Sequence, residues 1–90
     1  MNIYVIKSWD LKRKKYWYVR KKMDNSYVCT DDWAKALLFT NEQEGRMVLY
    51  KILNKYKNME LVMVDKQYLT ERQKSAIYIK ERLKNDTTNL

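Results

Sequence analysis

From Ile3 to Trp9, β-branched and aromatic residues dominate, which predicts a strand at the start of the chain. A charged connection, Asp10 to Lys14, leads into a second predicted strand, Lys15 to Lys22. Asp24 and Asn25 both tolerate positive φ and predict a two-residue turn, after which Ser26 to Thr30 returns as a third strand. The three strands read as an antiparallel meander. With the turn centred on Asp24-Asn25, Lys22 faces Tyr27, Arg20 faces Cys29 and Val19 faces Thr30. Alternation then places Trp17, Val19, Met23 and Val28 on a core face. Tyr16, Tyr18, Arg20, Lys22 and Tyr27 fall on the other, an aromatic and cationic platform. A slip of one residue in this register exchanges the two faces.

The stretch Asp31 to Phe39 fits either a short helical turn or an irregular segment feeding the core. Beyond it, Thr40 with Gln43 and Asn41 with Glu44 both have capping-box spacing, and Glu42 and Glu44 suit the positive end of a helix dipole. Gly45, Val48, Leu49, Ile52, Leu53 and Tyr56 make one stripe of a helix from Glu42 to about Lys57. A glycine on that stripe costs the helix roughly 1 kcal/mol against alanine and points to close approach of the sheet. Met59 to Val64 predicts a short buried strand. Thr70 with Gln73 predicts a second cap, followed by a helix to about Lys84 with Leu69, Ala76, Ile79 and Leu83 inward and Lys74, Lys80, Arg82 and Lys84 in water. The order β-β-β-α-β-α predicts an α+β fold, an antiparallel β-meander sheet with two helices packed on one face. Residues 1–84 would form a single domain, and 85–90 a frayed C-terminal tail.

Length and composition narrow the choices. Ninety residues allow one domain with a thin core, and one glycine without proline leaves no linker or low-complexity tract. Cys29 is the lone cysteine, so no internal disulfide forms, and its place on a half-buried strand fits a reducing cytoplasm. No run is long enough to span a membrane, and Lys7 interrupts the apolar start, so neither a signal peptide nor a membrane partner is expected. The chain has no histidine, which removes histidine-based catalysis and metal binding. Asp31 and Asp32 point to opposite sides of an extended strand, and capping explains Glu42 and Glu44. A phosphate-cradling loop needs more than one glycine. The expectation is no enzyme, no cofactor, no metal and no small-molecule substrate.

Charge is concentrated in one stretch of the chain. Eight of nineteen basic residues lie between Lys7 and Lys22 with Asp10 as the only acid among them, so this window carries +7 of the chain's net +8. Such a field recruits polyanions or acidic protein faces. Lys12, Arg13, Lys14 and Lys15 would supply electrostatics, and Tyr16, Tyr18, Arg20, Lys22 and Tyr27 a platform on which bases stack at roughly 1–3 kcal/mol each. The plainer account is that tyrosines favour strands and lysines protect an edge. Four adjacent cations exceed what edge protection needs, although Asp10, Asp31 or Asp32 could offset part of the repulsion. The second helix is basic and amphipathic, but Glu71, Glu81 and Asp86 dilute its charge. A strand separates the two helices, which does not fit a helix-turn-helix.

Lys, Asn, Tyr and Ile together supply 34 residues, whereas Pro, Gly and Ala supply four. With the start Met1-Asn2-Ile3-Tyr4-Val5-Ile6-Lys7 and the run Ala36 to Glu44, the chain resembles the small accessory proteins of phages and mobile elements from low-GC Gram-positive bacteria. The resemblance is one of style and carries over no residue role. It implies a stoichiometric binder of nucleic acid or of a host protein. The leading expectation is a binding protein whose basic-aromatic hairpin engages nucleic acid or a nucleoprotein. The alternative is an inhibitor or adaptor on an acidic face of a host protein, such as an anti-defence or anti-CRISPR-like factor, with Trp9, Trp17 or Trp33 as anchors. A dimer paired through its edge strands is a third.

Overall fold

A computed structural model describes the backbone of residues 2–88 and the side chains of residues 2–83. Three antiparallel strands open the chain: β1 (Tyr4–Asp10), β2 (Lys15–Lys21) and β3 (Tyr27–Thr30). A 3-10 turn at Trp33–Lys35 precedes the two-residue strand β4 (Leu38–Phe39). Helix α1 (Glu42–Ile52), strand β5 (Glu60–Met63), a second 3-10 turn at Lys66–Tyr68 and helix α2 (Glu71–Thr88) complete the order. The fold is α+β in the expected succession β-β-β-α-β-α, with β4 added.

β1 organises the sheet. Along one side it pairs with β5, from Tyr4↔Met63 to Lys7↔Glu60. Along the other, its C-terminal half pairs with β2 and its N-terminal residues Tyr4 and Val5 pair with β4. The Leu37 amide donates to the Val19 carbonyl at 2.8 Å, so the β4 segment enters the gap where β2 leaves β1. The ambiguous stretch 31–39 is therefore both a short helical turn, capped by Asp32, whose side chain accepts from the Ala34 amide, and an extended plug in the sheet over Leu38–Phe39.

The β2–β3 register is one residue away from the expected one. Val19 faces Cys29, Arg20 faces Val28 and Lys21 faces Tyr27. The cause is the turn: the loop has three residues, Met23-Asp24-Asn25, with Asn25 at φ 68°. The Lys22 amide donates to the Ser26 carbonyl at 2.8 Å, and the Asn25 amide to the Lys22 carbonyl at 3.0 Å. A three-residue loop closing on a left-handed residue is the second common hairpin solution. Asp24 reinforces it by accepting from the Ser26 amide and hydroxyl, bonds that hold its carboxyl below the ordinary carboxylate value. Met23, expected in the core, stands fully exposed at the tip. Val28 is on the Arg20 side, and Tyr27 and Cys29 pack against the core.

That core joins Ile6, Val19, Phe39, Val48, Ile52 and Met59, with Tyr4, Leu37, Leu49, Tyr56 and Leu61 around it. α1 lies over this face of the sheet. Asn41 caps it, its side-chain oxygen accepting from the Gln43 amide at 2.8 Å and the Glu44 amide at 3.3 Å. The helix ends at Ile52, earlier than the stripe predicts, and the chain reverses at Asn58, φ 64°. Gly45 is buried against the sheet: a methyl there would sit 2.8 Å from Leu61 Cδ1 and 3.4 Å from Phe39 Cγ.

α2 begins with a reciprocal cap. The Thr70 amide donates to Gln73 Oε1 at 2.8 Å, and the Gln73 amide to Thr70 Oγ1 at 3.1 Å. The Gln73 amide group also donates to the Trp33 carbonyl, and the Trp33 indole donates to the Tyr68 carbonyl, tying the helix start to the 3-10 turn at Trp33. The inward row is Leu69, Gln73 and Ile77; Ala76, Ile79 and Leu83 are on the exposed side, a correction to the expected stripe. The row follows Gln73 because that side chain satisfies two backbone groups at once, the Thr70 amide and the Trp33 carbonyl, which burying an isoleucine would not do. The helix continues to Thr88, and the fraying expected over 85–90 falls on side chains, and at 89–90 on backbone, outside the described residues.

Candidate functional site

The basic connection between β1 and β2 is built on Asp10. Its Oδ1 accepts from the Lys12 amide at 3.0 Å and the Arg13 amide at 3.1 Å; its Oδ2 accepts from the Trp17 indole at 3.1 Å. The Lys14 amide closes the loop onto the Asp10 carbonyl at 2.7 Å, which requires Lys14 at φ 53°. The Trp17 indole bond above all, then those from the loop backbone, holds the Asp10 carboxyl below its ordinary value. One carboxylate thus shapes a loop whose cations project outward: Lys12 and Lys14 are exposed and form no ion pair among the described residues. Arg13 reaches Asp10 only at 3.7 Å and is itself mostly exposed.

Lys15 behaves differently. Its Nζ lies 2.7 Å from Asp31 Oδ2, and its bond and charge lower the Asp31 carboxyl. The same ammonium sits 4.7 Å from the Trp17 ring centre, with Arg13 at 5.8 Å, so the covered side of β2 carries a cation-capped indole. Exposed pairs of this kind contribute little to stability. They do remove Lys15 from the set of unanswered charges.

On the face away from α1, Trp9, Tyr16, Tyr18 and Trp33 form a row. Trp9 and Tyr16 meet edge-on at 4.8 Å, Tyr16 and Tyr18 are 6.4 Å apart, and Tyr18 meets Trp33 at 5.0 Å. Lys7 Nζ lies 4.1 Å from the Tyr16 ring centre. The row borders a groove of about 450 Å³ with Val5 and Val62 among its lining and Tyr68 on its wall. Trp9 and Tyr68 are exposed and Tyr16 is just so, whereas Tyr18 is half-buried, which pushes its phenol up. Arg20 belongs to this face and is half-buried, with its Nε enclosed and lacking a hydrogen-bond partner among the described residues. Such a group is destabilising by about 1–3 kcal/mol unless something answers it.

The nine residues expected to act together therefore divide. Lys12, Arg13 and Lys14 form the loop. Tyr16, Tyr18 and Arg20 stand on the open face. Lys15 is paired on the covered face. Lys22 is exposed at the far end of β2, about 20 Å along the strand. Tyr27 is turned to the core by the three-residue loop and leaves the platform. Lys7 and Tyr68 join the site without having been singled out for it, and Trp9 and Trp33, expected only as anchors for a protein partner, join the ring row. Lys7 and Trp9 were legible from the alternation of β1 once it is set beside β2, where Lys7 faces Tyr18 and Trp9 faces Tyr16. Trp33 and Tyr68 come from distant turns joined by one hydrogen bond and carry no local signal.

Among the described residues, no group of three or more Cys, Asp or Glu could hold a metal ion, and no helix is long and apolar enough to cross a membrane. The family model described as "MLPTv-like, helix-turn-helix domain" matches residues 19–87. Neither the curated proteins nor the solved structures yield a match. The match spans most of the chain, and the chain belongs to this family. This corrects the sequence expectation that set the helix-turn-helix class aside. The spacing behind that expectation stands, since residues 53–70, with β5 and a 3-10 turn, separate α1 from α2. Lys12 to Tyr18 precede the matched segment.

Proposed function

We propose that this chain, as a member of the MLPTv-like helix-turn-helix family, is a non-enzymatic, cytoplasmic nucleic-acid-binding protein of phage type. The family description supports the partner class. The observation that carries the local reading is the row of four rings on the open face, edged by Lys7 and leading to a loop whose Lys12 and Lys14 have no acid partner among the described residues. Stacked rings engage bases with little sequence preference, and the loop lysines neutralise phosphates and release counterions.

Fluorescence anisotropy with labelled single- and double-stranded DNA and RNA tests this. For about six phosphate contacts, log affinity falls against log salt with a slope near −5. A Lys12→Glu/Arg13→Glu/Lys14→Glu variant should lose most of that affinity while keeping its circular dichroism spectrum. Flat curves for all four probes at low salt remove the reading. An affinity capture that survives nuclease treatment would then favour an acidic host-protein face as the partner.

A further inference from the structure

A second cationic region lies far from the loop. α2 and the 34–40 connection enclose a groove of about 320 Å³. Four basic side chains line it, Lys21 from the end of β2, Lys35 from the 3-10 turn, and Arg72 and Lys80 from α2, and no acid does. None of the four has an ion-pair partner among the described residues; the only α2 pair there is Lys74 with Glu71, on another side of the helix. All four are exposed. Arg72, Ala76 and Lys80 follow at intervals of four, so they share one helix face, and the two cations are about 12 Å apart along the axis. Ala76 between them leaves the helix surface low, and Ala36 does the same on the facing wall.

We propose that this groove is a phosphate-backbone track: one strand of a nucleic acid lies along α2, with successive phosphates met by Arg72 and Lys80 on one wall and by Lys21 and Lys35 on the other. The inference rests on the nucleic-acid reading and adds a contact region outside the nine expected site residues. Four like charges held around one concavity repel one another, and no acid among the described residues pairs with them. The apolar floor between charged rims matches a sugar-phosphate strand better than a free ion, which would leave that floor in water. The groove also lies in the segment matched by the family model, whereas the basic loop lies outside it.

The test compares three variants of the full chain by anisotropy with a fluorescein-labelled DNA duplex and its single strand, at about 50 and 200 mM salt. Arg72→Glu/Lys80→Glu and Lys21→Glu/Lys35→Glu should each reduce affinity at least about tenfold and make the salt slope shallower by roughly 2, two phosphates at about 0.9 each. Lys12→Glu/Lys14→Glu is the comparison. Groove variants that match the wild type in affinity and slope, while the loop variant fails, overturn the track and leave the loop reading standing. The reverse result upholds the track and removes the loop. Wild-type protein that binds neither probe removes both. The glutamine versions of the same variants keep the result readable if the glutamate versions lose their circular dichroism signal.

Discussion

The two faces of the sheet come from the same alternating strands and have opposite fates. On one, Ile6 and Val19 are sealed beneath α1 with Phe39 from β4. On the other, their sequence neighbours Lys7 and Tyr18 border an open groove. The difference does not lie in β1 or β2, whose out-facing residues are as aromatic as a core would need. It lies in what the rest of the chain brings to each side: an eleven-residue amphipathic helix to one, and only two 3-10 turns, at Trp33 and Tyr68, to the other. A large aromatic surface that the protein's own helices leave uncovered is where a partner finds area to bury.

The sharpest way to break this contrast is to empty the covered face. Phe39→Ala should lower unfolding free energy by about 3–5 kcal/mol in urea titrations, because the ring is fully enclosed and α1 is held on its capped end. A smaller loss would mean that α1 is not what seals this face. On the open side the effect should move from stability to binding. Tyr16→Ala should change stability by less than about 1.5 kcal/mol, since the ring is only edge-packed. It should weaken single-strand binding by about 1–3 kcal/mol, one stacked base. Unchanged affinity with lowered stability would make the ring row structural.

The smallest effect concerns acid. Asp10, Asp24 and Asp31 all have carboxyls lowered in the folded protein by the hydrogen bonds that shape the loop, the hairpin tip and the Lys15 pair. For a depressed carboxylate, the stabilising contribution is fully present above its unfolded value and is lost as pH falls through the folded value. Stability contributed by these groups should therefore be level from neutral pH to about 5 and decline only below the ordinary carboxylate range, near 4. Urea midpoints measured across that interval check this, and Asp10→Asn should flatten part of the decline. A midpoint that falls already between pH 7 and 5 would point to other groups.

Much of this molecule is written locally. Capping residues Asn41, Thr70 and Gln73, the alternation of β1 and β2, and the charge gathered before Lys22 each act over a few neighbours, so their consequences follow from spacing alone. Even the α+β order needs only the change of period from two to three or four. The register of β3 does not follow, because Asp24-Asn25 suits a two- or a three-residue loop equally, and the choice of the latter turned Tyr27 from platform to core. The inward row of α2 was decided by Gln73 reaching the Trp33 carbonyl forty residues earlier. Lys21, Lys35, Arg72 and Lys80 are scattered along the chain and resemble ordinary surface charges until β4 enters the sheet and α2 settles against it. Patterns between near neighbours select the elements, because backbone hydrogen bonds and alternation are short-ranged. Which side chains share a surface is set by packing between distant segments, and that information exists only once the chain has closed on itself.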